Sequence, residues 1–218
     1  MGREALLEIC ELFYSIQGES SYAGYPCYFI RFAGCNLRCT YCDTRYAYEG
    51  KHLSYPISRI LAELAKYPGV LVEITGGEPL LQKGVYPLFE QLLAAGRSVL
   101  LETNGSLSLE GVPHDVIKIM DMKCPGSGMH EKMNFDNFAF LEPKDEVKFV
   151  ISSREDYNWA AQLVSSYGLH NEATVTFSPV TSILQPAALA EWILADRLPV
   201  RLRLQLHTIL WPGKIKGC

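Results

Sequence analysis

Short apolar runs and amphipathic stretches alternate along this chain, and that alternation limits the fold more than any single residue does. The runs 8–14 (EICELFY), 27–33 (CYFIRFA), 70–74 (VLVEI), 97–101 (RSVLL), 115–120 (DVIKIM), 146–151 (EVKFVI), 173–177 (ATVTF) and 200–206 (VRLRLQL) are strand-like. Most are β-branched or aromatic and end at Gly, Pro, Asn or Asp, as strands do. Between them, 57–66, 84–95, 154–167 and 186–197 repeat apolar residues at helical spacing, with Pro186 suited to a first helical turn. Strands separated by helices need crossovers, so the pattern predicts an α/β fold with a mostly parallel sheet. A partial barrel, a closed barrel and a doubly wound sheet all satisfy this periodicity. No repeat, linker or low-complexity tract divides the 218 residues, and one core domain over 1–218 is expected.

In such folds the ligand lies at the carboxyl ends of the strands. That rule selects GCNLRCTYCDT, TGGEP (75–79), ETNG (102–105), DMKCPGSG (121–128), FSPV (177–180) and QLHT. The one long irregular stretch, 121–145, reads as a functional or mobile loop. The first segment carries Cys35, Cys39 and Cys42 as C-x3-C-x2-C. The chain has seven cysteines, an odd count in a protein too large to need disulfides. Clustered cysteines in a reducing compartment read as metal ligands or reactive thiols. Three local thiolates suit an iron–sulfur cluster. No fourth ligand lies nearby: Cys124 is remote, and the nearest histidine, His52, comes ten residues after Cys42. Structural zinc normally closes with four ligands, which leaves a non-catalytic zinc-binding module as the weaker alternative. Cys10 and Cys27 sit in apolar strands and read as core.

Composition removes other classes. With 20 basic and 24 acidic residues the net charge is −4, against a nucleic-acid binder, which needs a basic face. No apolar run approaches the roughly 20 residues of a membrane span. The opening MGREALLEIC carries Arg3, Glu4 and Glu8 and has no signal-peptide core, so a cytoplasmic location is expected.

With an aromatic residue, Tyr41, before its last cysteine, the motif resembles the radical S-adenosylmethionine superfamily signature. The resemblance implies a 4Fe-4S cluster on Cys35, Cys39 and Cys42, with S-adenosyl-L-methionine chelating the fourth iron. Tyr41 would then pack near the adenine, which suits a flat aromatic face. It also implies a partial (β/α)6-type barrel, compact with reduced helices. Further matches are F-x-S-x-Q-G-E at 13–19, G-x-P-x-x-F-I-R at 24–31, C-D-T at 42–44, LETNG, DMKCPGSG, EVKFVI and Q-x-H-x-x-x-W at 205–211. Together these resemble the 7-carboxy-7-deazaguanine synthase family of queuosine and 7-deazapurine biosynthesis, over residues 10–211. That family contracts 6-carboxy-5,6,7,8-tetrahydropterin to 7-carboxy-7-deazaguanine with loss of ammonia, through 5′-deoxyadenosyl radical hydrogen abstraction.

The resemblance carries roles to positions. Ile16, Gln17, Gly18 and Glu19 would meet the pterin edge, Arg31 the substrate carboxylate, and Thr75 and the chain end at Cys218 the substrate. Otherwise Arg31 reads as a strand arginine in an exposed ion pair. The cofactor side would comprise Tyr41, Cys42, Asp43, Gly77, Glu78, Asp121, Met122, Lys123, Phe177, Ser178, Pro179 and Val180. The two glycines of TGGEP would let backbone approach a ligand, with Glu78 free for an ammonium group; otherwise the segment is a plain turn. Glu102 and Asn104 suit ribose hydroxyls or a tight turn. Thr44 would ligate Mg2+ through its hydroxyl; taken alone it reads as a cap. Thr208 departs from the lysine often found after the histidine. The implied partners are a small-molecule pterin, an electron donor such as a flavodoxin, and a second copy in a homodimer, with no nucleic acid and no membrane. A glycyl-radical-enzyme activase shares the compact size and cluster motif and is the other enzymatic reading.

Overall fold

The computed structural model describes residues 5–218; Arg3 and Glu4, part of the polar opening read above, lie outside the described residues. The elements in chain order are β1 (Leu6–Ile16), β2 (Pro26–Phe32), α1 (Tyr46–Glu49), β3 (Leu53–Pro56), α2 (Ile57–Leu64), β4 (Leu71–Gly76), α3 (Val85–Ala94) and β5 (Val99–Thr103). They continue as β6 (Ile117–Met122), β7 (Glu146–Ile151), α4 (Arg154–Ser166), α5 (Leu169–Glu172), β8 (Thr174–Pro179), α6 (Pro186–Asp196), β9 (Arg201–Leu202) and α7 (Leu206–Leu210).

Among the described residues nine strands form one sheet in the order β3-β1-β2-β4-β5-β6-β7-β8-β9. β1 pairs antiparallel with β2 and β3, whereas every pair from β2·β4 through β8·β9 is parallel. From β2 onward, β3 apart, spatial order follows chain order, so every parallel crossover advances in one direction. A doubly wound sheet would reverse direction at a switch point. The fold is therefore an open partial barrel with six full parallel strands. Helices are sparse: β5 to β6 is crossed without one, and β6 to β7 by three 3-10 turns at Pro125–Ser127, His130–Lys132 and Phe135–Phe140.

Period-two alternation gives the parallel strands two buried faces. Ile30, Phe32, Val72, Ile74, Leu101, Met120, Met122, Val147, Phe149, Val175 and Phe177 pack outward against Leu88 and Leu92 of α3, Ala160 and Val164 of α4, and Leu189 and Ile193 of α6. The other face splits along its length. Its lower layer is apolar, with Cys27, Phe29, Leu71, Leu100 and Ile119 joined by Phe13 and Tyr22. At the strands' carboxyl ends the same face presents Arg31, Glu73, Thr75, Glu102, Asp121 and Lys148 to a cavity.

Several boundaries differ from the sequence reading. The stretch 121–145 is ordered by its 3-10 turns, and its first two residues belong to β6. The strand expected over 200–206 shrinks to two residues, because Leu206 N–H leaves the sheet to donate to Gly18 O at 3.1 Å. β3 escapes the apolar pattern because its outer residues are exposed; backbone pairing with β1 makes it a strand. Cys10 is half-buried, its thiol donating to Phe32 O and Ala47 O at 3.6 Å, whereas Cys27 is core.

Candidate active site

The cysteine loop leaves β2 at Phe32 and turns at Gly34, whose φ of +87° an L-side chain adopts poorly. Gly34 N–H donates to Ala47 O at 2.8 Å, and Thr40 anchors the far side through Gly126 O at 2.8 Å and Ser127 O at 3.1 Å. Arg38 donates to Cys35 O at 2.8 Å and Arg45 to Thr40 O at 3.0 Å. Cys35, Cys39 and Cys42 remain free thiols, half-buried on the wall of a cavity of about 580 Å³. Burial raises the Cys39 thiol; Asp121 and the neighbouring Cys42 and Cys35 sulfurs raise it further, while Lys123 opposes them. Burial likewise raises Cys42, against a hydrogen bond from Thr44 N–H. Leu37 N–H and the Asn104 amide point at Cys35 Sγ, at 3.4 and 3.8 Å.

This donor set fits a cluster. Among the described residues no three His, Cys, Asp or Glu side chains close around a single ion, whereas the three thiols share one wall and sense one another's charge. Cys124 is fully buried in the outward core and stands behind the wall, so it is no fourth ligand. Asp121 Oδ1 has no protein donor although Asp121 lines the cavity, leaving an acceptor for a bound group.

TGGEP lies beneath this loop. Gly77 N–H donates to Phe32 O at 3.1 Å and Glu78 N–H to Gly34 O at 2.8 Å. A Cβ on Gly77 would fall 2.0 Å from Gly34 O and 3.0 Å from the Cys35 Cβ; one on Gly76, at φ +146°, would fall 2.3 Å from Phe32 O. The glycines thus let the cysteine loop press onto the end of β4, a requirement that exists before any ligand binds. Glu78 corrects the expectation of a free carboxylate. It is fully buried and accepts from Leu80 N at 3.0 Å, Thr103 Oγ1 at 2.9 Å and Asn104 N at 2.7 Å. Burial outweighs these bonds and pushes its carboxyl up to about 7. Through Asn104, which also donates to Asn36 Oδ1 at 3.0 Å, Glu78 braces the loop.

The polar layer is a linked network. Arg31 gives its Nε to Glu11 Oε1 at 2.8 Å in a largely buried pair and lines the cavity. Thr75 donates to Glu102 Oε2 at 3.0 Å, and Lys123 pairs with Asp121 Oδ2 at 2.9 Å. Lys123 and then Lys148 hold the Asp121 carboxyl below its ordinary value despite a larger burial effect. Gln17 donates to Glu73 and accepts from Glu19 N at 2.5 Å, so its amide is engaged within the protein. Burial and then Glu102 raise the Glu73 carboxyl well above its ordinary value. Glu19 accepts from Gln205 Nε2 at 2.8 Å, joining the β1–β2 loop to the segment before α7.

Of the positions singled out, the cavity wall collects Ile16, Gln17, Gly18, Glu19, Arg31, Thr75, Tyr41, Asp43, Thr44, Gly77, Asp121, Lys123, Pro179, Val180 and Cys218 beside the three cysteines. Tyr41 OH donates to Val150 O at 3.3 Å, and Thr44 Oγ1 to Asp43 Oδ1 at 2.7 Å. Met122 and Phe177 do not join them: both side chains lie in the outward core, since each follows a cavity-face residue by one step. Ser178 is buried off the wall. The chain end arrives because Gly217 N–H donates to Glu11 Oε2 at 3.1 Å. Sequence reading assigned no role to Glu73, Lys148, Gln205 or Trp211, all on the wall. Alternation in VLVEIT and EVKFVI does carry a signal, since charged residues inside buried parallel strands stand out.

Residues 29–125 match the model of the Radical SAM superfamily. The 7-carboxy-7-deazaguanine synthase of Koribacter versatilis is 45% identical, covering 97% of this chain and 100% of that protein. The 7-carboxy-7-deazaguanine synthase of Chlorobaculum tepidum is also 45% identical and covers 100% of both. Among solved structures, QueE from Escherichia coli superposes with a TM-score of 0.76 at 22% identity, over 92% of this chain and 94% of that one, a likeness of fold.

Proposed function

The chain belongs to the 7-carboxy-7-deazaguanine synthase family of radical S-adenosylmethionine enzymes, and on that premise we propose that it converts 6-carboxy-5,6,7,8-tetrahydropterin to 7-carboxy-7-deazaguanine with loss of ammonia. The observation that carries this reading is the juxtaposition, in one cavity, of three thiols outside any disulfide and a polar layer of Arg31, Lys123 and Lys148 with Glu19, Glu73, Glu102 and Asp121. An activase or a zinc module no longer competes, because near-full-length relatives share one name.

A 4Fe-4S cluster with S-adenosylmethionine, when bound, would supply the one-electron chemistry that starts hydrogen abstraction from the substrate. Cys35, Cys39 and Cys42 would hold the cluster. Asp121, with an unused acceptor, and Lys123 would receive the cofactor's polar groups. The terminal nitrogens of Arg31 suit the substrate carboxylate in a two-point contact. Glu19 supplies an acceptor for the donor-rich amino-pyrimidinone edge, and Gln17 holds the Glu19 backbone in place. Residues 205–218 line one side of the cavity, with Trp211, Ile215 and Cys218 on the wall. Thr44 Oγ1, beside Asp43, would supply one oxygen ligand to Mg2+.

A one-electron donor such as a flavodoxin, a single core domain, a cytoplasmic site and a homodimer complete the proposal. Exposed Leu6 and Leu53 on the edge pair β1·β3 support the dimer. No helix among the described residues is long and apolar enough to cross a membrane. The test is anaerobic turnover of the tetrahydropterin by cluster-loaded protein with S-adenosylmethionine, reductant and Mg2+, product identified by mass. A loaded enzyme that cleaves S-adenosylmethionine but forms no deazaguanine would overturn the substrate assignment.

A further inference from the structure

One enclosed cation in the cavity wall has no part in the roles above. Lys148, on β7, has a side chain 5% exposed and places its ammonium among carboxylates from three other elements. Glu19 Oε2 of the β1–β2 loop lies at 2.5 Å, Glu102 Oε1 of β5 at 2.6 Å and Asp121 Oδ2 of β6 at 3.2 Å. An ammonium has three donors and no acceptor, so the three contacts use it completely. Burial alone would depress the lysine, but Asp121, Glu102 and Glu19 together hold it well above its ordinary value.

The acceptors are not equivalent. Asp121 keeps a second cation, Lys123, at 2.9 Å. Glu102 otherwise has the Thr75 hydroxyl at 3.0 Å, and Glu19 the Gln205 amide at 2.8 Å with His207 Nδ1 at 3.9 Å. Two carboxylates gripping one nitrogen lie within a few ångströms of each other, so without Lys148 they repel and turn apart. Glu19 sits on the β1–β2 loop, outside the strands that carry Glu102 and Asp121.

We propose that Lys148 is a positioning residue for substrate selection: by gripping Glu19 and Glu102 at once, it fixes their free lone pairs as a paired acceptor toward the amino-pyrimidinone edge of the pterin. The proposal rests on the reading of Glu19 as a substrate contact. Its consequence is that Lys148 affects substrate affinity through Glu19 and leaves the cluster side, served by Lys123 and Asp121, intact.

The test is a double-mutant cycle on cluster-loaded enzyme with S-adenosylmethionine and no reductant, so that nothing turns over. Calorimetric titration with 6-carboxytetrahydropterin is compared for the parent, Glu19→Gln, Lys148→Met and the double variant. Each single change should weaken binding at least tenfold, about 1.4 kcal/mol. The double variant should be no more than about threefold worse than the weaker single, because both changes remove one arrangement. Iron content and S-adenosylmethionine affinity should match the parent. If Glu19→Gln binds like the parent, the Glu19 reading fails and this proposal with it. If Glu19→Gln weakens binding while Lys148→Met does not, or the two losses multiply, the reading stands and the proposal is overturned. Should Lys148→Met not fold, Lys148→Gln, which keeps an amide donor between the carboxylates, enters the same cycle with the same criteria.

Discussion

Replacing Gly77 by alanine isolates the contact between the cysteine loop and the barrel. The added Cβ would sit 2.0 Å from Gly34 O and 2.6 Å from Gly34 C, where the neighbours are backbone. Relief to an ordinary contact needs a separation larger by about 1.4 Å or more, which no rotamer change supplies. The loop must lift, breaking the Glu78 N–H bond to Gly34 O and drawing Cys35 away from Cys39 and Cys42. Overpacking costs roughly 1–3 kcal/mol and an unpaired buried N–H roughly as much again, so a loss of about 3 kcal/mol is expected. For a chain of this size that lowers Tm by roughly 6–12 °C. The measurements are thermal unfolding of the unloaded protein and iron and sulfide per chain after anaerobic reconstitution. Gly69→Ala is the control: it has positive φ but nothing within 4 Å of the new Cβ. If Gly77 served only to let a ligand approach, Gly77→Ala would melt with the control and load its full complement of iron while binding S-adenosylmethionine poorly. That result would refute the packing argument.

Cys39→Ala should abolish iron loading, whereas Cys124→Ala, behind the wall, should load fully at a packing cost of about 1 kcal/mol; equal iron deficits would sink the distinction. Burial raises the folded-state carboxyl of Glu78 to about 7 from an ordinary 4.5. Its contribution to stability is therefore fully present below pH 4.5 and lost as pH rises through 7, at up to about 1.4 kcal/mol per unit between. Urea unfolding at several pH values should show that slope missing in Glu78→Gln, and parallel slopes would contradict it. Thr44→Ala should keep parental iron content but lose the rate response to Mg2+; a response matching the parent's removes Thr44 from the metal. Arg31→Lys, which cannot span both Glu11 and a carboxylate, should raise KM for the pterin roughly tenfold or more with cluster content unchanged, as steady-state kinetics would report.

Much of the fold was legible because strand and helix periods are local properties of sequence. The runs at 146–151 and 173–177 nearly coincide with β7 and β8, and the helices at 154–167 and 186–197 nearly coincide with α4 and α6. The motif C-x3-C-x2-C declared its thiols for the same reason: three ligands within eight residues need no distant partner. β3 stayed hidden because its strand character comes from pairing with β1, and the strand expected over 200–206 failed because Gly18 O, far away in sequence, captures Leu206 N–H. Period alone left barrel and doubly wound sheet equivalent; the spatial order of strands decided between them.

The site divides along the same line. Sequence alone determined the chemical character of the cysteine loop and located polar segments at the strand ends, since identity and spacing specify those. Tertiary structure decided which atoms are free to act. It spent Glu78 on Leu80, Thr103 and Asn104, and turned Met122 and Phe177 into the outward core by one residue of strand register. It also enclosed Lys148 among carboxylates from three other elements. A buried charge is set by the groups that replace its water, and here those groups lie 129, 46 and 27 residues away along the chain.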